Sequence, residues 1–216
     1  MITKEQRQMR EREEMKKRIL EAAALLIAEE GIEKLSIRKI AEEIEYSPGI
    51  IYHYFQGKDE IVVRYLQQKY TDMVDGLQSV QRKAEHELPP EMLLRQSLEQ
   101  WIRMTLTTSV EYRNVMLNDT PAVLSYTAVL FKGAGQERKA IGMLCQCLSR
   151  FESKEQHMES SIELTAQVMW SAAFGLIMRL IVEKDLPEDQ VEALISCYLD
   201  SMVSIATREI REPLTQ

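Results

Sequence analysis

The sequence has few of the residues that interrupt helices or cross-link a chain. Its 216 residues include only 8 glycines, 6 prolines and 3 cysteines, and aromatic residues account for 6%. Scarce glycine and proline favour helix, and no stretch alternates β-branched with polar residues as a half-buried strand would. We therefore predict an all-α fold. An odd number of cysteines, with Cys145 and Cys147 on different faces of one predicted helix, indicates reduced thiols rather than disulfides or a metal knuckle.

The motifs of common catalytic and cofactor-binding sites are missing as well. The sequence contains no P-loop, dinucleotide-binding glycine motif, HExxH or nucleophile elbow. Its three histidines, His53, His86 and His157, are scattered singly, which argues against a metal site or a histidine-based catalytic cluster. We expect a protein that is not an enzyme and that holds no cofactor or metal.

Charge is distributed unevenly along the chain. The formal net charge is −7, but residues 1–58 hold eleven basic residues and eleven glutamates, so the acidic excess lies beyond them. An acidic body repels DNA everywhere except at the neutral amino-terminal end. The charged first twenty residues argue against a secretory signal, and the uncharged segment 164–178 is shorter than the roughly 20 residues that span a bilayer. We expect a cytoplasmic protein without a membrane segment.

Two short helices joined by a tight turn are predicted between residues 36 and 58. Ser36 begins an amphipathic helix that ends near residue 44, and Ser47 and Pro48 begin a second one, with the Ser47 hydroxyl as its cap. In that second helix Tyr52, His53 and Tyr54 point about 100° apart, so some of these rings must face outward. This arrangement is typical of a helix-turn-helix.

The residues before this motif complete a three-helix unit. Apolar residues spaced like one face of a helix run from residue 19 to residue 27, and Gly31 ends that helix. The charged arm 1–18 either extends the helix or stays disordered until DNA orders it, and its mixed charges favour a solvated helix. We predict a DNA-binding domain at residues 1–58 and a helical effector-binding and dimerisation domain at residues 59–216.

The larger domain is predicted to be a series of helices. The first runs from Lys58 to about Lys83 and links the two domains, and prolines 89 and 90 end the pattern. Further helices are predicted at 91–106, 112–119, from 120 onwards, 136–151, 164–178 and 188–207. The last two are apolar enough for a four-helix seam between two copies, although an ordinary internal core remains the alternative. The predicted seam residues are Trp170, Phe174, Gly175, Met178, Ile195, Leu199 and Met202.

Methionines and aromatic residues recur through this domain. They are suited to an adaptable apolar pocket for a small molecule, although such stripes also form packed cores. The predicted pocket residues are Tyr70, Met73, Trp101, Met104, Tyr112, Met116, Phe131 and Met169.

The helix-turn-helix residues carry a resemblance to a known family. They are, in order, Ile37-Arg38-Lys39-Ile40-Ala41, a turn, Ser47-x-Gly49-x-Ile51-Tyr52-x-Tyr54-Phe55, and Gly57-Lys58-Asp59-Glu60. This pattern, over residues 15–62, resembles the amino-terminal domain of TetR (tetracycline-repressor-like) transcriptional regulators. The resemblance implies an all-helical protein with a variable ligand-binding domain and a dimer formed by its last two long helices.

The resemblance also implies roles for individual residues. Arg38 matches a position that can reach a guanine edge, with a phosphate-only or solvated arginine as the alternative. Lys58 matches a phosphate-binding lysine, with a solvated role as the alternative. Two residues depart from the pattern: Glu45 stands where a turn glycine is common, and Ile50 replaces the usual threonine. The predicted DNA-binding residues are Ser36, Arg38, Lys39, Ser47, Gly49, Ile50, Tyr52, His53, Tyr54 and Lys58.

Together these features predict a dimeric, sequence-specific DNA-binding transcriptional regulator. We expect a repressor that a small, largely apolar ligand releases from a pseudo-palindromic operator in double-stranded DNA. One alternative is a DNA-binding regulator that answers to a protein partner. The other is a helical enzyme or lipid carrier, which leaves the helix-turn-helix unexplained.

Overall fold

A computed structural model describes residues 3–84, 87–151, 159–183 and 185–211. Within these ranges the regular elements are helices and none is a strand, which confirms the all-α prediction. His86 and His157 lie outside the described residues. The helices, in chain order, are α1 (Lys4–Glu30), α2 (Ile37–Glu43), α3 (Pro48–Ile51), α4 (Lys58–Ala84), α5 (Pro90–Thr107), α6 (Ser109–Met116), α7 (Pro121–Thr127), α8 (Ala134–Glu137), α9 (Lys139–Ser149), α10 (Glu159–Val182) and α11 (Glu188–Ala206), which continues into a π-helical turn at Thr207–Arg211.

The helices group into two compact units. The first consists of Met1–Thr71 and Val110–Thr127, and the second of Asp72–Ser109 and Ala128–Gln216. This division differs from the predicted boundary after residue 58. The first half of α4, together with α6 and α7, belongs to the amino-terminal unit.

The core of the first unit follows the predicted helical spacing. Ile19, Ala23 and Ile27 on α1 are fully buried, and they lie in one cluster with Ile40 of α2 and Ile51 of α3. Each buried aliphatic side chain contributes about 1.5–3 kcal/mol relative to exposure. Burial of these faces therefore fixes the three helices against one another.

The ends of α1 show how the local sequence sets its length. The Thr3 side chain accepts a hydrogen bond from the Gln6 amide, and the Gln6 side chain accepts one from the Thr3 amide, which forms a capping box. The charged arm is therefore helical from Lys4 onwards, as the mixed charges favoured. At the other end, Gly31 has φ +89° and its N–H donates to the Ile27 carbonyl at 3.0 Å.

The turn between α2 and α3 places a glutamate in the left-handed region. Glu45 has φ +60°, a conformation that costs a non-glycine residue about 1–2 kcal/mol. Its N–H donates to the Glu42 carbonyl at 3.1 Å, and the Tyr46 N–H donates to the Ala41 carbonyl at 2.9 Å. This pair of bonds is a Schellman motif, which satisfies two carbonyls at the end of α2 and aims the chain into α3.

Helices α6 and α7 pack against the three-helix core, which the sequence did not predict. Val123 is fully buried within the same cluster as the α1 residues. The Asn114 side-chain amide donates to the Ile27 carbonyl at 3.4 Å, at the end of α1. The Gln67 side-chain amide of α4 donates to the Tyr126 hydroxyl at 2.5 Å. The amino-terminal unit therefore extends beyond the motif that was recognised in the sequence.

In the second unit, α5, α9, α10 and α11 share one core. The Tyr198 hydroxyl of α11 donates to the Met169 carbonyl of α10 at 2.9 Å. On the outside, the Arg103 guanidinium of α5 binds Glu192 of α11 through two hydrogen bonds of 2.9 and 2.8 Å, and these lower the pKa of Glu192. Burial raises the pKa of Tyr198, so its hydroxyl remains a donor.

The connection that leads into α9 is held by two side chains of α10. The Glu163 carboxylate accepts hydrogen bonds from the Gly133 and Gly135 amides, each at 2.9 Å, and the Gln167 amide donates to the Phe131 carbonyl at 2.8 Å. Gly133 has φ +91°. The predicted helix 136–151 is therefore divided: α8 ends before Arg138, and α9 begins after it.

Helix α10 is longer than the uncharged segment that predicted it. Its stretch Ser161–Val182 has 22 residues and a mean hydropathy of 1.5, so by length and composition it is long and apolar enough to cross a membrane. The core helix of a soluble protein has the same properties, and this stretch contains Glu163 and Arg179.

Candidate functional site

The short helix α3 presents one side to the core and one to solvent. Pro48 is its first residue, as expected, but the Ser47 hydroxyl makes no capping hydrogen bond in the described structure, so that prediction was wrong. Ile51 and Phe55 are buried and anchor the helix. The exposed Ser47 hydroxyl is consequently available to a partner.

The three consecutive aromatic residues are divided between these two sides. Tyr52 is 60% exposed and His53 is also exposed, whereas Tyr54 is half-buried and packs against the core. Ile50, which the sequence placed at the DNA surface, is likewise half-buried against that core. The outward face of α3 therefore consists mainly of Tyr52, His53 and the residues at its start.

The described structure around position 49 leaves room for a side chain, so neighbouring atoms do not require the glycine that is found there. A Cβ atom at this position would have the Ser47 Oγ as its nearest neighbour, at 3.8 Å, which is an ordinary van der Waals contact. The site is exposed. A bare backbone on an exposed helix face is suited to close approach by another molecule.

Helix α2 carries two cations beside carboxylates. The Arg38 Nε donates to the Glu42 Oε1 at 2.8 Å, and this bond raises the pKa of Arg38. The Lys39 Nζ lies 2.5 Å from the Glu30 Oε2, and its hydrogen bond lowers the pKa of Glu30. Exposed ion pairs of this kind contribute little stability. Phosphate groups can therefore compete for both cations.

Two predicted residues support neighbouring backbone. The Ser36 Oγ accepts a hydrogen bond from the Lys39 amide at 3.3 Å and caps α2. Lys58, the first residue of α4, donates from Nζ to the Glu33 carbonyl at 3.2 Å. Lys58 as a residue is half-buried, and it lies at the start of a helix, where anions are favoured.

Two arginines of α1 reach the helix-turn-helix, and sequence analysis missed both. Arg12 lies 5.6 Å from the centroid of the Tyr54 ring, and Arg18 lies 5.3 Å from the centroid of the Tyr46 ring. Nothing in the sequence distinguishes these residues from Arg7 or other arm cations, because all are embedded in the same mixed-charge pattern.

A small cavity lies in the core of the second unit. Its volume is about 30 Å³, which has room for a water molecule but not for a drug-sized ligand. Trp101 and Trp170 stack beside it with ring centroids 3.8 Å apart, and the buried Trp101 Nε1 has no hydrogen-bond partner among the described residues. The lining residues are Leu77, Ser97, Leu98, Trp101, Ala140, Met143, Leu144, Cys147 and Trp170.

The predicted pocket residues are divided between the two units. Three of them, Tyr70, Tyr112 and Met116, belong to the first unit, and the other five belong to the second. Within the second unit, Trp101 lines the cavity, whereas Met73, Met104, Phe131 and Met169 do not. The assignment of these residues to a ligand pocket stays a prediction.

The predicted dimer residues differ in how much surface they leave free. Trp170, Ile195, Leu199 and Met202 are buried within their own chain, so they leave little surface for a second copy. Phe174 and Met178 are half-buried, and Gly175 is exposed. The apolar face of α11 packs against α5 and α10 of the same chain, so a different set of residues forms the exposed face of α11.

Comparison with known proteins agrees with the geometry of the amino-terminal unit. Residues 19–65 match the family described as bacterial regulatory proteins, tetR family. This segment is therefore similar to the amino-terminal domain of TetR-family regulators. The chain is 31% identical over 86 residues to YfiR, an uncharacterized HTH-type transcriptional regulator of Bacillus subtilis (strain 168), and the match covers 40% of this chain. The alignment spans only 38% of the length of YfiR.

Solved structures with a similar fold cover more of the chain. The fatty acid degradation regulator FadR from Bacillus halodurans is 16% identical, with a TM-score of 0.66 over 87% of this chain and 94% of that one. FadR from Bacillus subtilis, solved in complex with stearoyl-CoA, is also 16% identical, with a TM-score of 0.66 over 87% and 97%. At this identity the similarity establishes the fold of the chain and nothing more.

Proposed function

We propose that this TetR-like chain is a cytoplasmic, homodimeric, sequence-specific DNA-binding transcriptional regulator. In this proposal it is a repressor that a small, largely apolar ligand releases from a pseudo-palindromic operator. The observation that carries the proposal is the outward face of α3. It combines an unneeded glycine at position 49 with the exposed Tyr52 and His53 and a free hydroxyl at Ser47.

In the proposed complex, α3 lies in the major groove and the surrounding groups bind the backbone. Gly49 permits close approach, and Tyr52 and His53 reach base edges and phosphates. Arg38 leaves Glu42 and binds a guanine edge, for which a guanidinium is well matched. Lys39, Lys58 and the hydroxyl groups of Ser36 and Ser47 bind phosphates. Tyr54 and Ile50, both half-buried, contribute at the edge of this surface.

A second copy of the chain is the proposed occupant of the outer side of α10. The exposed residues of this helix recur every three or four positions and form one strip. Most of them are small or aliphatic, so another helix can approach closely. They are Leu164, Val168, Ser171, Ala172, Gly175, Arg179 and Val182. On α11 the exposed small residues Ala193, Cys197, Ser201 and Ser204 have the same spacing. The resemblance to TetR regulators supports a seam built by these two helices.

The proposed effector enters the second unit beside the stacked tryptophans. FadR from Bacillus subtilis, which shares the fold, was solved with stearoyl-CoA, and this supports an apolar ligand for the present chain. The cavity of about 30 Å³ must widen to admit one. The unpartnered Trp101 Nε1 supplies a buried donor for a ligand oxygen.

Selection of DNA from a random duplex library tests the DNA-binding function. We expect the full chain to enrich a pseudo-palindrome with half-sites about 34 Å apart or a multiple of that spacing. If the protein enriches no sequence, or enriches only single sites that are not paired, the proposal of a sequence-specific DNA-binding dimer is contradicted.

Fluorescence then tests the effector. Both tryptophans of the chain line the cavity, so a ligand that enters there changes their emission. A panel of apolar compounds, titrated with and without the selected duplex, should include one whose affinity falls when DNA is bound. By linkage it must weaken DNA binding by the same factor. If the affinity of every compound that binds is the same with and without DNA, regulation by a protein partner is favoured instead.

A further inference from the structure

The recognition helix α3 is too short to hold its own orientation. It consists of four residues, Pro48–Ile51, whereas isolated helices shorter than about 12–15 residues are marginal in water. Its first turn has no side-chain cap. At its end, the carbonyls of Ile50 and Ile51 accept hydrogen bonds from the short segment that follows, through the amides of residues 53–55. Ile51 and Phe55 are buried and anchor one side of the segment against the core. These two side chains do not fix its two ends, which need contacts with other groups.

Arg12 holds the carboxyl end of this segment. Its guanidinium lies 5.6 Å from the centre of the Tyr54 ring, within the range of a cation–π interaction. The same group donates from Nη2 to the His53 carbonyl at 3.4 Å. One side chain of α1 thus orients an aromatic residue of the DNA-facing surface and binds the backbone beside it.

Arg18 makes the same pair of contacts at the other end. Its guanidinium lies 5.3 Å from the centre of the Tyr46 ring and donates from Nη2 to the Ile44 carbonyl at 3.1 Å. Ile44 and Tyr46 form the turn that leads into α3. The two arginines are six positions apart, which is about 9 Å along α1. They therefore reach the turn before α3 and the residues after it.

Other cations of the arm make a different kind of contact. Arg7 and Arg10 pair with Glu11 and Glu14 on the same helix, at 3.0 and 3.2 Å. Lys17 is paired with Glu21 at 3.6 Å. Because the contacts of these side chains within the described part of the chain are with neighbours on α1, they serve as charge-matched controls for the two arginines that reach the helix-turn-helix.

We propose that Arg12 and Arg18 are positioning residues that clamp the recognition helix at both ends, so that the extended α1 sets the selectivity of DNA binding. This inference rests on the proposed function. The two arginines act through Tyr54, Tyr46 and the adjoining backbone and do not themselves bind DNA. Removal of either should therefore reduce discrimination between sequences more than it reduces affinity for DNA in general.

The test compares Arg12→Gln with Arg10→Gln in the full-length protein. Both variants remove one positive charge from the same part of α1. The probes are a duplex enriched by the wild-type protein from a random library and a scrambled duplex of equal length, and the measured quantity is the Kd for the scrambled duplex divided by the Kd for the enriched one. We expect Arg12→Gln to lower this ratio about tenfold and Arg10→Gln to leave it within about twofold, since lost cation–π and carbonyl contacts displace the reading side chains. Both should show the same salt dependence.

Equal ratios for the two variants would overturn the inference. Arg18→Gln, compared with Lys17→Gln, is the second pair and should behave in the same way. If Arg12→Gln lowers the melting temperature below the assay temperature, Arg12→Lys decides instead. Lysine keeps the charge but lacks the planar guanidinium, so clamping predicts a ratio below that of wild type, whereas a purely electrostatic role predicts the wild-type ratio. If the wild-type protein enriches no duplex, the proposed function fails and this inference with it. If it enriches one and the variants match their controls, only this inference fails.

Discussion

Trp101 and Trp170 stack with their ring centroids 3.8 Å apart and their planes inclined by 18°. Sequence analysis assigned Trp101 to a pocket and Trp170 to a dimer interface, but the fold brings them together inside one chain. Trp101 is on α5 and Trp170 on α10, so the stack joins two helices at the edge of the cavity. Such aromatic pairs contribute about 0.5–1.5 kcal/mol beyond the burial of their surface.

The stack predicts a graded response to substitution at Trp101. Trp101→Ala should destabilise the protein by about 3–5 kcal/mol, because it leaves a cavity in the core. Trp101→Phe should cost less than about 2 kcal/mol, since it keeps a ring against Trp170 and removes a buried N–H that has no described partner. Urea unfolding measures both. Equal losses for the two variants would show that the ring contact contributes nothing.

Gly142 is predicted to tolerate no side chain, although it lies in a helix. A Cβ atom there would lie 2.5 Å from the Gly135 carbonyl oxygen, which is fixed backbone. Alanine normally stabilises a helix interior by about 0.5–1 kcal/mol relative to glycine, but we expect Gly142→Ala to destabilise by about 1–3 kcal/mol through overpacking.

Gly76→Ala is the matched control for this substitution. Its nearest neighbour would be the flexible Met104 Sδ, at 3.2 Å, so it should be neutral or stabilising in thermal unfolding. A Gly142→Ala variant as stable as Gly76→Ala would mean that the segment around Gly135 adjusts freely.

The Glu163 carboxylate should make stability depend on acid pH. Hydrogen bonds from the Gly135 and Gly133 amides lower its pKa from the ordinary value of 4.5. A carboxylate with a lowered pKa in the folded state stabilises above its unfolded pKa, and this contribution is lost as pH falls through the folded value. Wild type should therefore exceed Glu163→Gln in melting temperature at pH 6, with the difference shrinking below about pH 4.5.

Glu137→Gln supplies the comparison for this measurement. Glu137 is exposed in the same segment, so Glu137→Gln removes one carboxylate and keeps the hydrogen bonds of Glu163 to the Gly133 and Gly135 amides. A constant difference between wild type and Glu163→Gln from pH 6 to pH 3.5 would contradict a role for the charge. Burial raises the pKa of Cys145 to about 11, so that neighbouring thiol stays neutral throughout this range.

Much of the fold was predictable because its signals are local. The apolar spacing of Ile19, Ala23 and Ile27 and the breaker at Gly31 define α1 without reference to the rest of the chain. The same is true of the recognition motif, in which cap, proline and core residues lie within a dozen positions. Packing between distant segments has no such signal. Nothing near Val123 indicates that α7 completes the core of the amino-terminal unit.

The candidate sites show why the remainder was not predictable. Helix α10 is apolar on most of its circumference, so its sequence does not reveal that Val168 faces outward while Met169 faces the core. The arm cations have similar spacing, and only the folded chain separates Arg12 from Arg10. In both cases the role of a residue depends on which distant residues the fold brings next to it, and the local sequence does not contain that information.

Arg38 and Lys58 should contribute to DNA binding in different ways. Arg38→Ala should weaken binding to the selected duplex by about 1–3 kcal/mol with little effect on random DNA, as expected for a base contact. Lys58→Ala should weaken both by a similar factor and reduce the salt slope by about one. Fluorescence anisotropy at several salt concentrations measures both effects. Unchanged discrimination in Arg38→Ala would assign that residue to the phosphate backbone or to solvent.

The proposed dimer is tested most directly by charges on the two sides of the closing helices. Val168 is 59% exposed in one chain and Leu199 only 1%. Val168→Asp should leave the fold intact but place two carboxylates at the seam, so the protein should become a folded monomer that no longer binds a pseudo-palindrome tightly. Leu199→Asp buries an unpaired charge in the core of a single chain, which costs several kcal/mol, so it should unfold the second unit instead.

Light scattering and circular dichroism together distinguish these outcomes. Leu130, which is 70% exposed in the second unit, supplies the control, because Leu130→Asp adds the same charge at a residue outside the strip on α10 and should remain dimeric. If Val168→Asp stays dimeric with wild-type affinity for the selected duplex, the strip on α10 is not the interface. If Leu199→Asp instead produces a folded monomer, the dimer interface lies on the side of α11 that carries Leu199. We expect the two variants to behave differently because each closing helix packs one face against its own chain and, in the proposed dimer, the other face against the partner.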